Sequence, residues 1–230
     1  MDKIEAVIFD WNGTLHDDLE WLAYQSVVKI FETYNLSPPT LDEYRQEITA
    51  SFMKFYYKYG FVPNFSGQGE DGDSRALNVI RKKYYTENGD KGSIRPDATR
   101  TVFNLRSMGI KVGIVSAEIE STLFEKLNSS DLHRLFDSQF VRAQIWGDKG
   151  PALLEMCKKL DVSPGNTIYV DDTVDGTGSA KKVGLLPIGF GNETGYNSED
   201  RLRLVTSLVV HELSEILELV HGINRARKGQ

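Results

Sequence analysis

The chain has 230 residues, 40% of them apolar and 26% charged, and a formal net charge of −6. That length suits one large domain or a core with a smaller insert, and the acidic balance argues against a general nucleic-acid footprint. No apolar run approaches the roughly 20 residues that span a bilayer, and a single cysteine, Cys157, excludes an internal disulfide and a thiolate metal cluster.

In chain order, residues 4–9 are a short continuous apolar run, which predicts a strand covered on both faces. It delivers Asp10 to the carboxyl edge of a sheet, and Gly13 and Thr14 turn the chain away. The charged residues ahead of it carry no secretory signal, so the expected location is cytoplasmic. Residues 16–91 predict helices near 17–34, 40–59 and 73–87 and no strand, an all-helical insert whose aromatic residues Phe52, Phe55, Tyr56, Tyr57, Tyr59 and Phe61 form its own core. Ser66–Asp73 reads as a loop on composition, His16 as a solvated loop residue, and Asp17 and Asp18 as caps of the first insert helix.

After the insert the pattern alternates. A helix over 97–108 stops at Gly109, a strand over 111–115 ends on Ser116, and a helix over 120–128 precedes a strand over 138–141. Lys149 stands before a helix over 150–160 whose apolar face carries Cys157. A strand over 167–170 runs into Asp171, Asp172 and Asp175, followed by a helix over 177–183 and a strand over 185–189. The glycine-rich 189–195 reads as a plain loop, 201–221 as one helix capped by Asp200, and 225–230 as a frayed tail. The alternation predicts an α/β fold, a doubly wound parallel sheet. The expected core is residues 1–15 and 92–230, with the helical insert at 16–91 between its first two strands.

Asp10, Ser116, Lys149 and Asp171/Asp172 all follow or flank the carboxyl ends of strands. In one parallel sheet they share a crevice and bring together a nucleophile, a hydroxyl donor, a cation and an acidic cluster suited to a hard divalent ion. That set serves phosphoryl transfer. No zinc-ligand spacing appears among the four histidines, and no Gly-x-Ser-x-Gly supports esterase chemistry.

The ordered set resembles the haloacid dehalogenase-like hydrolase superfamily across the whole chain. Asp10-Trp-Asn-Gly-Thr14 is similar to its first motif, Ser116 to the second, Lys149 to the third and Asp171-Asp172 to the fourth. The helical insert sits where phosphoglycolate-phosphatase-like and phosphonatase-like members carry a cap. The resemblance implies a Mg²⁺-dependent phosphatase acting on a small phosphorylated substrate, monomeric or homodimeric, with no nucleic-acid or membrane partner. It implies Asp10 as nucleophile, with Asp10, Asp172 and the backbone carbonyl of Asn12 holding the metal. Ser116 and Lys149 would bind phosphoryl oxygens, with Asn12, Gly13, Thr14 and Ala117 around the substrate.

Two departures stand out. The family often has Gly-Asp in the fourth motif and a further Asp four residues on; here Asp171 replaces the Gly, and position 176 is Gly. In the first motif Asn12 stands where the family's phosphatases place an acid–base aspartate, a group that typically contributes about 10²–10⁴ in rate. Three outcomes stay open: substrates with good leaving groups such as acyl phosphates or anhydrides, another proton donor (His16, Lys54 or Lys58), or a catalytically weak relative that binds a phosphorylated ligand or a protein partner. If nothing else supplies the proton, Asn12→Asp should raise turnover of poor leaving groups.

Overall fold

The computed structural model describes residues 3–49, 52–118, 120–128, 130, 132–136, 140–143 and 148–228. Strand β1 (Ala6–Phe9) leads to a second short strand, β2 (His16–Asp17), and a π-helical turn over Leu19–Tyr24. Helices α1 (Gln25–Thr33), α2 (Leu41–Glu47), α3 (Phe52–Lys58) and α4 (Gly69–Asn88) follow. Strand β3 (Ser93–Ile94) pairs antiparallel with β2, so a two-stranded ribbon stands where the chain leaves and re-enters the sheet domain. Helix α5 (Ala98–Ser107), β4 (Lys111–Ser116), α6 (Glu120–Asn128), α7 (His133–Phe136) and β5 (Phe140–Arg142) come next. Then come α8 (Gly150–Leu160), β6 (Thr167–Asp171), α9 (Val174–Lys182), β7 (Leu186–Phe190), α10 (Glu199–Arg203), β8 (Val209–Val210) and α11 (Glu215–Lys228).

The main sheet has six strands in the order β5-β4-β1-β6-β7-β8, all parallel. Alternation along β1 shows how both faces are covered. Val7 and Phe9 pack with α5, α6, α7 and α11, while Ala6 and Ile8 pack with α8 and α9, where Cys157 lies buried. The chain leaves β1 to one side through β4 and β5 and returns to the other through β6. The reversal opens a crevice beside the carboxyl end of β1, the position where doubly wound sheets bind ligands. Helices α1–α4 have a separate core that includes Phe55, Tyr56 and Phe61, the aromatic cluster expected from sequence.

Several expectations are corrected. The span 201–221 is α10, β8 and α11. Its apolar spacing also fits a strand, and parallel pairing of Val209 and Val210 with Gly189 and Phe190 decides the matter. Asp200 lies inside α10, whose N-cap is Ser198. Loop 189–195 is therefore not the end of the sheet. Helix α4 begins at Gly69, within the span read as a loop. The buried Asp73 carboxylate accepts from the backbone N–H groups of Asn64 and Ser66 and from the Tyr57 hydroxyl, folding the preceding turn onto the helix. Helix α9 starts at Val174, where Thr173 accepts from Gly176 N and caps it. Residues 225–228 continue α11, and 229–230 lie outside the described residues, as do 138 and 139 of the expected third core strand. The insert does hold a strand, β2, and His16 within it is buried and stacked on Trp11, ring centroids 5.3 Å apart.

Candidate active site

Asp10 continues β1, its backbone N–H donating to Val170 O on β6 (2.9 Å). Lys149, at the N-cap of α8, sets its Nζ 2.9 Å from Asp10 Oδ1 and 2.7 Å from Asp171 Oδ2. Asp171 ends β6 and Asp172 follows it, both fully buried. Carboxylate oxygens of Asp10, Asp171 and Asp172 lie within 4.8 Å of one another. The convergence expected of Asp10, Lys149 and Asp172 is thus present.

The three carboxylates differ in what holds them. Every acceptor side of Asp171 is taken: Lys149 and the Tyr169 hydroxyl (2.7 Å) on Oδ2, and the Thr173 N–H and hydroxyl on Oδ1. Asp172 accepts from Thr14 Oγ1 (3.1 Å) and from Tyr196 N–H. Burial pushes the Asp10 carboxyl up to about 7 against the opposing pull of Lys149, with Asp171 adding to the rise. Asp172 is driven well above the carboxylate range by burial, then by Asp171 and Asp10. Ionising all three buried acids around one ammonium would leave two negative charges unbalanced, which is why two of the carboxyls are held up, and a divalent cation would remove that cost. With Asp171 saturated, Asp10 and Asp172 are the two that fit such an ion.

Gly13 makes the turn after Asp10. Its φ is +77°, and a Cβ there would meet the Asp172 carboxylate at 2.1 Å, so only glycine lets the backbone pass. Arg95, just past β3, donates to the carbonyls of Gly13 (2.7 Å) and Thr14 (2.8 Å) and clamps this turn to the ribbon. Ser116 ends β4 on the same edge, with its Oγ accepting from Glu118 N–H (3.2 Å), and Ala117 beside it is half-buried. Asp175 is exposed on α9, outside the buried group.

Sequence reasoning missed four groups. Tyr169 had a signal, since residues 169 and 171 share a strand face. Asp18 does not cap its helix; it accepts from Asn12 Nδ2 (2.7 Å), Gly13 N–H (3.1 Å) and Tyr196 OH (3.2 Å). Tyr196 and Arg95 reach the site from remote loops, with no local pattern to mark them. Among the candidate proton donors, burial above all pushes the His16 imidazole down to about 3. Lys54 and Lys58 are exposed on α3, Lys58 paired with Glu47 at 2.6 Å.

Residues 7–189 match the family model for haloacid dehalogenase-like hydrolase. The chain belongs to that family. A glyceraldehyde 3-phosphate phosphatase from Methanopyrus kandleri is 24% identical to this chain, over 75% of it and 77% of the relative. The solved structure of a haloacid dehalogenase-like family hydrolase from Streptococcus pneumoniae superposes with a TM-score of 0.74 at 17% identity, covering 94% of this chain and 98% of that one. A family hydrolase from Deinococcus radiodurans, solved with bound phosphate and sodium, gives 0.67 at 17% identity over 96% and 98%.

The close packing of Asp171 against α9 depends on a glycine at position 176. A Cβ on Gly176 would lie 1.9 Å from Asp171 Oδ2. The carboxylate at 171 fills the space that a side chain at 176 would need.

Proposed function

We propose that the protein is a Mg²⁺-dependent phosphohydrolase of small phosphorylated metabolites that works through an aspartyl-phosphate on Asp10. The observation that carries this is the convergence of Asp10, Lys149 and Asp172 at the carboxyl edge of the sheet. An Asp10 oxygen attacks phosphorus, the bond to the leaving oxygen breaks, and that oxygen keeps the electron pair. Water then attacks the phosphorus, returning the Asp10 carboxylate and inorganic phosphate. Lys149 holds Asp10 in place and offsets charge building on the phosphoryl oxygens, and Ser116 donates to one of them. Asp10, Asp172 and the backbone carbonyl of Asn12 would hold Mg²⁺, which when bound supplies electrostatic stabilisation of the transferring group. The phosphatase relative and the phosphate-bound neighbour support this reading.

Asn12 cannot protonate a leaving group, which favours acyl phosphates or anhydrides over alkyl esters. The test is a panel of phosphoesters, acyl phosphates and anhydrides with and without Mg²⁺. We expect turnover of the good leaving groups, dependent on Mg²⁺ and reduced at least about 10³-fold by Asp10→Asn. Absence of turnover across the panel, or activity surviving Asp10→Asn, overturns it.

The commitment of the Asn12 amide to Asp18 favours a second reading, a weakly catalytic binder of a phosphorylated ligand or protein partner. Beryllofluoride with Mg²⁺ separates the two. A competent Asp10 site gains thermal stability by mass action and loses that gain in Asp10→Asn; a binder without a metal site shows no shift. Among the described residues no helix is long and apolar enough to cross a membrane.

A further inference from the structure

The carboxylate missing at position 12 has a counterpart in direct contact. Asp18 is 1% exposed and accepts from Asn12 Nδ2 at 2.7 Å, while Asn12 is half-buried. An amide group has two ends of nearly equal size, and its partners decide which way it faces. An ionised carboxylate only accepts, so it takes the NH₂ end and turns the carbonyl end away. The other oxygen of Asp18 is tied to Gly13 N–H (3.1 Å), and Tyr196 OH approaches the first (3.2 Å), so the carboxylate cannot rotate to accommodate a flipped amide.

We propose that Asp18 is a positioning residue for the reaction: it fixes the orientation of Asn12, presenting the Asn12 Oδ1 as a hydrogen-bond acceptor toward the crevice beside Asp10. This rests on the phosphohydrolase reading of that crevice. In that orientation Asn12 aligns a water for the second step and offers no proton to the leaving oxygen. The pair is also exchangeable. In the double variant Asn12→Asp/Asp18→Asn, the amide NH₂ introduced at position 18 would donate to the carboxylate introduced at position 12. The amide oxygen at position 18 keeps the Gly13 N–H, and Tyr196 OH turns to accept. Either single change breaks the match. Asn12→Asp alone sets two carboxylates face to face, so the gain expected from sequence becomes a loss. Asp18→Asn alone opposes two NH₂ groups and forces Asn12 to flip.

The experiment is a double-mutant cycle on an acyl phosphate with Mg²⁺, together with ¹⁵N–¹H spectra of the Asn12 side-chain amide. We expect each single variant to lose about tenfold or more in kcat with KM within about twofold, and the double variant to recover wild-type kcat. In the spectra, Asp18→Asn should shift the Asn12 amide signals. Additive losses, a gain in Asn12→Asp alone, or Asn12 amide signals unmoved by Asp18→Asn overturns the proposal. The spectra need no turnover, so inactivity of the wild-type enzyme would refute the phosphohydrolase reading while the Asp18–Asn12 geometry is judged separately.

Discussion

Lys149 bridges Asp10 and Asp171 from the N-cap of α8, and burial makes that bridge matter. A surface lysine pair contributes little, but removing one partner of a buried pair strands its counter-charges. Lys149→Met is therefore expected to cost about 3–5 kcal/mol in a urea unfolding experiment without metal. Saturating Mg²⁺ should restore part of that loss, because the ion supplies positive charge to the same carboxylates. A loss below about 1 kcal/mol, or a loss that Mg²⁺ leaves unchanged, would show that Lys149 does not neutralise the cluster. Lys149 in sequence is a lone lysine before a helix; what made it legible was its place in an ordered series of strand ends. Tyr196 had no such series. It reaches Asp172 with its backbone and Asp18 with its hydroxyl from just beyond the span read as a plain loop.

At the scale of elements, that loop joins cap and sheet domain through several hydrogen bonds. Arg45 on α2 donates to the carbonyls of Gly195 (2.9 Å) and Asn192 (3.0 Å). In return, Asn197 and Arg201 donate to the carbonyls of Arg45 and Ile48 at the end of α2. The same loop carries Tyr196, so cap position and Asp172 orientation share one backbone segment. Arg45→Ala removes two charge-assisted hydrogen bonds between the cap and the sheet domain. It is expected to raise KM by about tenfold, with a smaller change in kcat, and to speed proteolytic cutting at the cap ribbon. Unchanged KM and unchanged cutting would mean the cap keeps its position without this contact. The misread span 201–221 belongs to the same neighbourhood. Its valines fit a helical stripe as well as a strand edge, and only the open edge of β7 selects the strand.

For the whole molecule, the two buried sets of titratable groups make opposite contributions to stability. His16 titrates near 3 in the fold and near 6.5 in the open chain, so the unfolded state takes the proton first. Its contribution is complete above about pH 6.5 and is lost as pH falls toward 3, amounting to about 2 kcal/mol by pH 5. Asp10 and Asp18, held up to about 7 and about 6 by burial, act the other way in the metal-free protein, which loses stability as pH rises through those values. The difference between wild type and His16→Gln isolates the first effect. That difference in unfolding free energy should move by about 2 kcal/mol in favour of the variant between pH 7.5 and pH 5. A change under about 0.5 kcal/mol would show that His16 does not stay neutral in the fold.

The strand-end run before Asp10, the alternation of strands and helices after residue 92, and the aromatic core of the insert were all legible in the chain because each is local. Apolar periodicity and turn chemistry act over a few residues, and in a parallel sheet they place successive strand ends on one edge. Tertiary contact alone decided how the carboxylates are used. Asp171 is saturated by Lys149, Tyr169 and Thr173, whereas Asp172 accepts from the Thr14 hydroxyl and the Tyr196 N–H. Asp18 turns back to Asn12 instead of capping its helix, and β8 forms where β7 offers an unpaired edge. These outcomes depend on which donors lie within about 3 Å of a buried oxygen, and a linear pattern carries no such distances.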